Sequence, residues 1–260
     1  MKKLLTLIMA AALTITACFG LTACSGGKVV QDGGKIIVGV TDYAPMDYIE
    51  DGKWVGFDAE LAEAVFTNLG YTVEFKEIDW DTKIVTLNAG TIDCIWNGMT
   101  VTDELLSNLL LSNVYLQNRQ VAVVRIADSS NYDTTADLTG KTVAVESGSA
   151  AESAMKDISC TLRKATNQNS AVMEVFANTS DVAIVDYTLA KELVLSPTSE
   201  YFGKLAIKEL GFEVEEFAIA FRKSDSKLCW KVNKEINKLS NNGKVLELAL
   251  KYGIAGQLVG

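Results

Sequence analysis

The sequence contains no histidine among its 260 residues. Without imidazole there is no general base of the usual kind near neutral pH, no histidine-dependent triad and no histidine metal site. Proline is also rare, at Pro45 and Pro197 only. Enzymatic chemistry would have to rely on carboxylates, lysine or tyrosine, and we expect no metal and no cofactor.

Basic residues are scarce, since 24 lysines and arginines face 33 acidic residues and give a formal net charge of −9. Surfaces that bind nucleic acid or lie on a membrane need clustered lysine and arginine. The charge balance therefore argues against nucleic acid as a partner. The hydrophobic fraction of 48% indicates a folded chain, long enough for one large domain or two smaller ones.

The N-terminus has the pattern of an export signal. Lys2 and Lys3 precede an apolar run over residues 4–17 that is short for a membrane span, and small residues follow it. No later apolar run is long enough to be a transmembrane helix. We expect residues 1–23 to be a signal that is removed before the protein functions.

The motif Leu21-Thr22-Ala23-Cys24 resembles the bacterial lipobox, in which the signal is cut before a cysteine that carries the lipid. Cys18 fits the same pattern, but the glycine and serine residues after Cys24 supply the flexible tether that an anchored domain needs. We expect Cys24 to be the lipidation site and residues 24–34 the tether. Ordinary secretion without lipid stays an alternative.

Three further cysteines, Cys94, Cys160 and Cys229, lie in apolar or mixed segments without a CxxC spacing. This placement predicts buried small hydrophobic residues. One disulfide among the three stays open in an exported protein, and the sequence does not say which pair would form it.

Apolar strand segments alternate with helix patterns through the rest of the chain, which predicts βαβ units and mainly parallel sheets. Strands are predicted at residues 35–41, 71–78, 91–96, 120–126, 142–145, 181–185 and 215–221. Helices are predicted at residues 57–69, 81–87, 150–155, 169–177, 227–239 and 244–252. Asp58 is the expected N-cap of the first helix. The pattern restarts after a polar loop at residues 128–135, so we expect two α/β lobes that face each other across a cleft.

The stretch from Thr91 to Leu105 is the centre of this pattern. An apolar strand runs into a polar turn, and Thr102 then opens a helix as a plausible N-cap. Ligands of open α/β sheets collect where strands end and helices begin. The turn Ser147-Gly148-Ser149 repeats the same arrangement in the second half of the chain.

Several short segments, taken in their order and spacing, resemble the family 3 extracellular solute-binding proteins, the polar amino-acid receptors of ABC importers. In the first half these are Val38-Gly39, Tyr43-Ala44-Pro45, Gly56 through Leu61, Trp80-Asp81 and Asp93 through Thr100. In the second half they are Leu138 through Val145, Ser147-Gly148-Ser149, Asp181 through Asp186 and Phe217 through Lys223. No single segment is specific to the family. Together, in this order and spacing, the segments extend over nearly the whole mature chain.

The resemblance implies an α/β type II periplasmic-binding-protein fold, with two hinged lobes around a central ligand cleft. Lobe 1 would comprise residues 35–118 and 215–260, and lobe 2 residues 119–214. The hinge would lie near Gln120 and near Glu215.

The resemblance also implies a set of ligand contacts. Tyr43 would pack on the ligand side chain, and Asp186 would bind the α-amino group. The carboxylate would be bound by the polar turn and by the second-lobe turn, which are represented by Asn97, Gly98, Thr100 and Ser149. Glu146 falls where the family often lines the pocket, and an acid there favours a ligand with positive charge or donor groups.

Each of these roles has a plainer alternative. Tyr43 can be a cap on the proline loop, Asp186 a helix N-cap, and Glu146 a solvent-facing strand end. Asp42 is a weaker pocket candidate of the same kind as Glu146, because its match to the family pattern is ambiguous.

Leu105 is the main departure from the family pattern, which places a carboxylate-binding arginine at that position. Residues 101–118 contain no lysine or arginine, and the nearest substitute in sequence is Arg119, beside the expected hinge. Two explanations stay open: the ligand is not an ordinary α-amino acid, or binding in this chain is impaired.

These features predict a binding protein rather than an enzyme. It would be a monomer held on the outer face of the cell membrane by its lipid only, and it would deliver an amino acid or a related amine to an ABC importer permease. The alternatives are a dehydratase-like enzyme that uses cleft acids on the same fold, and a ligand sensor for a membrane partner.

Overall fold

The computed structural model describes residues 33–259, so the expected signal, Cys18 and Cys24 lie outside the described residues. The first elements in chain order are β1 (Lys35–Val40), β2 (Tyr48–Glu50), β3 (Lys53–Val55), α1 (Phe57–Asn68), β4 (Thr72–Glu77), α2 (Lys83–Asn88), β5 (Cys94–Ile95), α3 (Asp103–Asn108), β6 (Leu110–Leu111) and β7 (Leu116–Arg125). The remaining elements are β8 (Thr142–Glu146), α4 (Ala150–Ala154), β9 (Thr161–Ala165), α5 (Gln168–Phe176), β10 (Val182–Asp186), α6 (Tyr187–Leu195), β11 (Leu205–Lys208), β12 (Val214–Phe217), β13 (Ala220–Phe221), α7 (Ser226–Asn241) and α8 (Lys244–Lys251).

The first lobe, as we call the part built on a five-stranded sheet, has the strand order β4-β1-β5-β13-β6. Strands β4, β1 and β5 are parallel, and β13 pairs antiparallel with β5 and β6. Helix α1 contacts β4, α7 and α8. Large side chains without solvent exposure, among them Phe57, Phe66, Trp96 and Phe217, form the core of this lobe.

The second lobe is built on a six-stranded sheet with the order β11-β7-β10-β8-β9, and β12 pairs with β7 beside it. Strands β10, β8 and β9 are parallel, whereas β7 is antiparallel to β10, β11 and β12. The central strands β8 and β10 carry runs of buried aliphatic residues, residues 143–145 and 182–185, which suit a sheet covered on both faces. The predicted α/β fold with two sheets is confirmed.

The two sheets meet through β7 and β12. Residues Leu116 to Arg119 of β7 pair with β12, while residues from Gln120 onward pair with β10 in the second lobe. Two antiparallel strands, β7 and β12, therefore carry the chain between the lobes.

Several element predictions need correction. The strand predicted at 91–96 is reduced to β5, and the strand predicted at 215–221 is divided into β12 and β13. The hairpin of β2 and β3 and the strands β6, β9 and β11 were not predicted, because such short segments carry little periodicity. The predicted polar loop at 128–135 consists largely of 3-10 turns at Ile126–Asn131 and Thr135–Leu138.

Asp58 is not the N-cap of α1, so that prediction is wrong. Gly56 occupies the cap position, and Asp58 lies inside the helix with no solvent exposure. Its carboxylate accepts hydrogen bonds from the Gly98 N–H at 2.6 Å and the Tyr115 hydroxyl at 2.8 Å. Asp58 thus holds the polar turn in place through the hydrogen bond from Gly98.

The cysteines at positions 94, 160 and 229 are free thiols, so the described chain contains no disulfide among them. Cys94 and Cys229 are buried as predicted, while Cys160 is partly exposed. Between residues 33 and 259, no helix is both long and apolar enough to cross a membrane.

Candidate functional site

A cavity of about 40 Å³ lies between the two lobes. All eight predicted ligand-binding residues line it: Tyr43, Asn97, Gly98, Thr100, Leu105, Glu146, Ser149 and Asp186. They come from strand ends and turns of both lobes, which face each other across the cleft. The structure brings the predicted set together, while the role of each residue toward a ligand stays a prediction.

Asp186 ends β10 and is held by three side-chain amides. Its carboxylate accepts hydrogen bonds from Asn118 and Gln120 at 2.6 and 2.7 Å on one oxygen, and from Gln168 at 2.6 Å on the other. Burial raises the pKa of this carboxyl, and the amide hydrogen bonds act against the rise. Asp186 occupies the N-cap position of α6, but its side chain makes no capping hydrogen bond. The three amides leave about one acceptor site on the carboxylate, and the Tyr43 hydroxyl is near enough to donate to it.

Glu146 ends β8 and is 3% exposed, so the alternative of a solvent-facing strand end is wrong. Burial, followed by the negative charge of Asp186, raises the pKa of Glu146 to about 8, and nearby Lys83 opposes the rise. A cation placed in the cavity would favour the ionised form of this carboxyl.

The polar turn at residues 97–100 has fewer hydrogen-bond donors free for a ligand than its sequence suggests. The Gly98 N–H is used by Asp58, and the Thr100 hydroxyl donates to Glu215 at 3.0 Å. The side-chain oxygen of Asn97 accepts the Thr41 N–H, whereas its amide nitrogen has no partner among the described residues. The Gly98 N–H is therefore occupied in this structure, its role toward a ligand stays a prediction, and the Asn97 amide nitrogen is a donor that the turn leaves free.

Gly98 instead permits the close approach of an aromatic ring. A Cβ atom at this position would lie 2.7 Å from Cε1 of Tyr43, and the backbone φ of +51° also favours glycine. Tyr43 is 4% exposed, and its hydroxyl lies near the Asp186 carboxylate. Burial and the nearby Asp186 raise the pKa of this phenol. Tyr43 thus forms a wall of the cavity.

Thr102, Leu105 and Ser149 have the local structure that their sequence context predicts. The Thr102 hydroxyl accepts the Leu105 N–H at 3.3 Å, and the Ser149 hydroxyl accepts the N–H of Glu152 at 3.1 Å, so both are N-caps. The Leu105 side chain is 3% exposed and belongs to an apolar cluster with Trp80 and Met99.

The two other candidates from the sequence lie outside the cavity. Arg119 forms an ion pair with Glu209 and stacks over the Tyr187 ring at 4.0 Å, so it does not replace an arginine at position 105. Asp42 is exposed, and its carboxylate accepts a hydrogen bond from Asn169 of the second lobe at 3.2 Å. It joins the lobes at the surface.

Five polar residues that surround the site were not predicted as ligand contacts, and two of them were named only as hinge positions: Lys83, Asn118, Gln168, and the hinge residues Gln120 and Glu215. Glu215 accepts hydrogen bonds from Thr100 and Gln120, and burial together with Asp186 raises its pKa to about 7. The sequence does contain a signal for Asn118 and Gln120, because these two amides of β7 are two residues apart and therefore share one face of a buried strand. Residues 33–259 contain no acid, cysteine and histidine cluster arranged for a metal ion.

The family described as bacterial extracellular solute-binding proteins, family 3, matches residues 36–255. The arginine-binding extracellular protein ArtP of Bacillus subtilis is 33% identical over 259 residues, which cover 97% of this chain and 98% of ArtP. A histidine-bound substrate-binding protein of an ABC uptake transporter from Streptococcus pneumoniae has a TM-score of 0.77 and 31% identity, over 84% of this chain and 92% of its own. An ancestral arginine-binding protein bound to arginine has a TM-score of 0.79 and 30% identity, over 85% and 99%.

These relatives are described as binding proteins, which confirms the prediction of a binding protein rather than an enzyme. Their match extends over both sheets and the cleft between them. The chain belongs to the bacterial extracellular solute-binding proteins of family 3.

Proposed function

We propose that the protein binds a free amino acid between its lobes and delivers it to an ABC importer permease. The observation that carries this proposal is the position of Asp186, a buried carboxylate oriented by three amides and facing the polar turn of the other lobe. Such a carboxylate suits the α-ammonium group of an amino acid. The arginine and histidine named for the relatives support the same ligand class.

Within this class, we propose a cationic amino acid such as arginine. The carboxyl groups of Glu104, Glu146 and Asp186 line the cavity, and Lys83 is the single cation among the described residues that do. The rings of Tyr43 and Trp80 also line it. A guanidinium group can pair with a carboxylate and lie on an aromatic ring at the same time.

Binding would require the lobes to open and close. The cavity of about 40 Å³ has room for on the order of three water molecules, which is less than a free amino acid needs. We propose that residues 35–118 with 215–260 move against residues 119–214, and that β7 and β12 bend near Gln120 and Glu215. Two crossing strands without a helix between them suit such a hinge.

The location follows in part from the family, whose members are extracellular. We propose in addition that a lipid on Cys24 holds a monomer at the outer face of the membrane. Residues 24–34 would give the lobes the reach to meet the permease.

A calorimetric titration with arginine, histidine, glutamine and glutamate tests the proposed function. We expect a cationic amino acid to bind most tightly, and Asp186→Asn to weaken that binding by tenfold or more, because loss of a buried charge partner typically costs about 2–5 kcal/mol. Asp157→Asn is the matched control, since Asp157 is an exposed acid of the second lobe. Absence of binding to all four amino acids, or equal affinity in the Asp186 and Asp157 variants, would refute the proposal.

A further inference from the structure

Lys83 and Leu105 line the same cavity from the first lobe. Leu105 stands where the family pattern places the carboxylate-binding arginine. Lys83 begins α2, and its side chain is nearly buried, with 8% of the residue exposed. A positive charge is therefore present in the cleft, although it comes from a different element of the chain.

The ammonium group of Lys83 is held by backbone carbonyls. It donates to the Trp80 carbonyl at 3.1 Å and to the Gly148 carbonyl at 2.7 Å, and it lies 4.8 Å from the centroid of the Trp80 ring. An ammonium group has three N–H donors, so one has no acceptor among the described residues, and Lys83 lines the cavity. No carboxylate of residues 33–259 forms an ion pair with it.

A nearly buried cation without an anionic contact is unfavourable unless a partner of opposite charge arrives. Burial lowers the pKa of Lys83, and the charges of Glu146 and Glu104 act against this. Both acids are near enough to favour the ammonium form, but neither contacts it. The remaining donor suits an anion supplied by the ligand.

We infer that Lys83 is the carboxylate-binding cation of this cleft and replaces the arginine that is absent at position 105. The ligand class is then a zwitterion, with its carboxylate at Lys83 and its ammonium group at Asp186. This inference rests on the proposed amino-acid binding and assigns the carboxylate contact within it. It would also explain Leu105 with an ordinary α-amino acid as the ligand.

The contact with Gly148 adds a consequence for lobe closure. Gly148 belongs to the second lobe, so Lys83 reaches its carbonyl only when the lobes are together. A ligand carboxylate bound at Lys83 would hold the Lys83 ammonium group beside the Gly148 carbonyl. The same side chain would then recognise the ligand and join the lobes.

Titration calorimetry with arginine and argininamide separates a carboxylate contact from a structural role, because the two ligands differ only in the carboxylate. We expect Lys83→Met to weaken arginine binding by tenfold or more and to change argininamide binding by less than threefold. Lys83→Arg should retain most of the affinity for arginine. Leu105→Arg, added to Lys83→Met, should restore at least part of the loss by returning a cation to the family position.

Lys76→Met is the control, since Lys76 is an exposed lysine of the same lobe, and thermal unfolding without ligand verifies that each variant folds. If arginine binds and Lys83→Met weakens both ligands equally or neither, the role of Lys83 is refuted while amino-acid binding stands. If the unmodified protein binds no amino acid in the calorimetric titrations, both proposals fail together.

Discussion

Glu146 is a carboxyl group that the fold keeps almost entirely out of water. Its ionisation is opposed by burial and by Asp186, and Lys83 is the neighbouring charge that favours it. A pKa raised to about 8 favours the protonated form of this group at neutral pH in the ligand-free closed form. An arriving guanidinium group would displace that proton, so the binding of a cationic ligand releases acid.

Replacing Glu146 tests this protonation through stability. A carboxyl whose pKa rises on folding contributes stability that is full below its unfolded pKa and is lost as the pH rises, here from about 4.5 to about 8. We expect Glu146→Gln to remove this loss, which amounts to at most about 1.4 kcal/mol per pH unit for one proton. Thermal unfolding of the ligand-free protein between pH 5 and pH 8 measures the slope.

Glu77→Gln is the matched control, because Glu77 is an exposed acid of the first lobe. We expect this variant to have the same slope of stability against pH as the unmodified protein. An unchanged slope in Glu146→Gln would contradict the assigned protonation. Asp58 and Glu215, whose pKa values are raised to about 7, contribute slopes of the same sign in all variants.

Among the elements, the turn that precedes α4 determines how closely the lobes approach. Gly148 has a φ of +71°, and a Cβ atom there would lie 2.8 Å from the Cα atom of Asp81 in the other lobe. Backbone contact at this distance cannot be relieved by turning a side chain. The turn therefore closes against the first lobe only because position 148 has no side chain.

Gly148→Ala should weaken amino-acid binding by tenfold or more, because the added methyl group keeps the lobes apart. Gly140→Ala is a close control, since Gly140 has a φ of +73° in the same lobe and no atom within 4 Å of its Cβ position. Both variants should lose a similar amount of stability, about 1–2 kcal/mol from the left-handed backbone. Calorimetry of the two variants measures the difference, and equal affinities would contradict contact-limited closure.

The sequence could predict the composition of the site because strand ends and helix starts are local features. Residues such as Asn97, Ser149 and Asp186 follow apolar segments, and parallel strands bring such ends to one edge. The direction of each donor was not predictable. The Gly98 N–H points to Asp58, forty positions earlier, and only the packing of α1 against the turn creates that contact.

Lys83 was missed for a related reason. At the start of a short helix, a lysine has the appearance of an ordinary exposed residue. Its burial follows from Trp80 on one side and from the second lobe on the other, and the sequence contains no local signal for either. The short strands β6 and β13 escaped full prediction because two residues carry no measurable alternation.

For the whole molecule, the proposed attachment to the membrane depends on Cys24. We expect Cys24→Ser to give protein that is released or mislocalised, because the lipid has no acceptor, and Cys18→Ser to leave anchoring intact. Membrane fractionation with a lipid label measures both. The reverse pattern would make Cys18 the acceptor, and no label in either form would indicate ordinary secretion.

The position of β13 in the first sheet also has a consequence for how the chain is made. Strand β13 lies between β5 and β6, and in the described part of the chain it is the only strand of this sheet that follows the second lobe in sequence. Chains emerge from the ribosome with the N-terminus first. Strands β7 to β11 can pair once residue 208 has appeared, whereas the lobe that starts the chain stays incomplete until nearly all of it has been synthesised. We therefore expect the lobe that is translated first to complete its fold last.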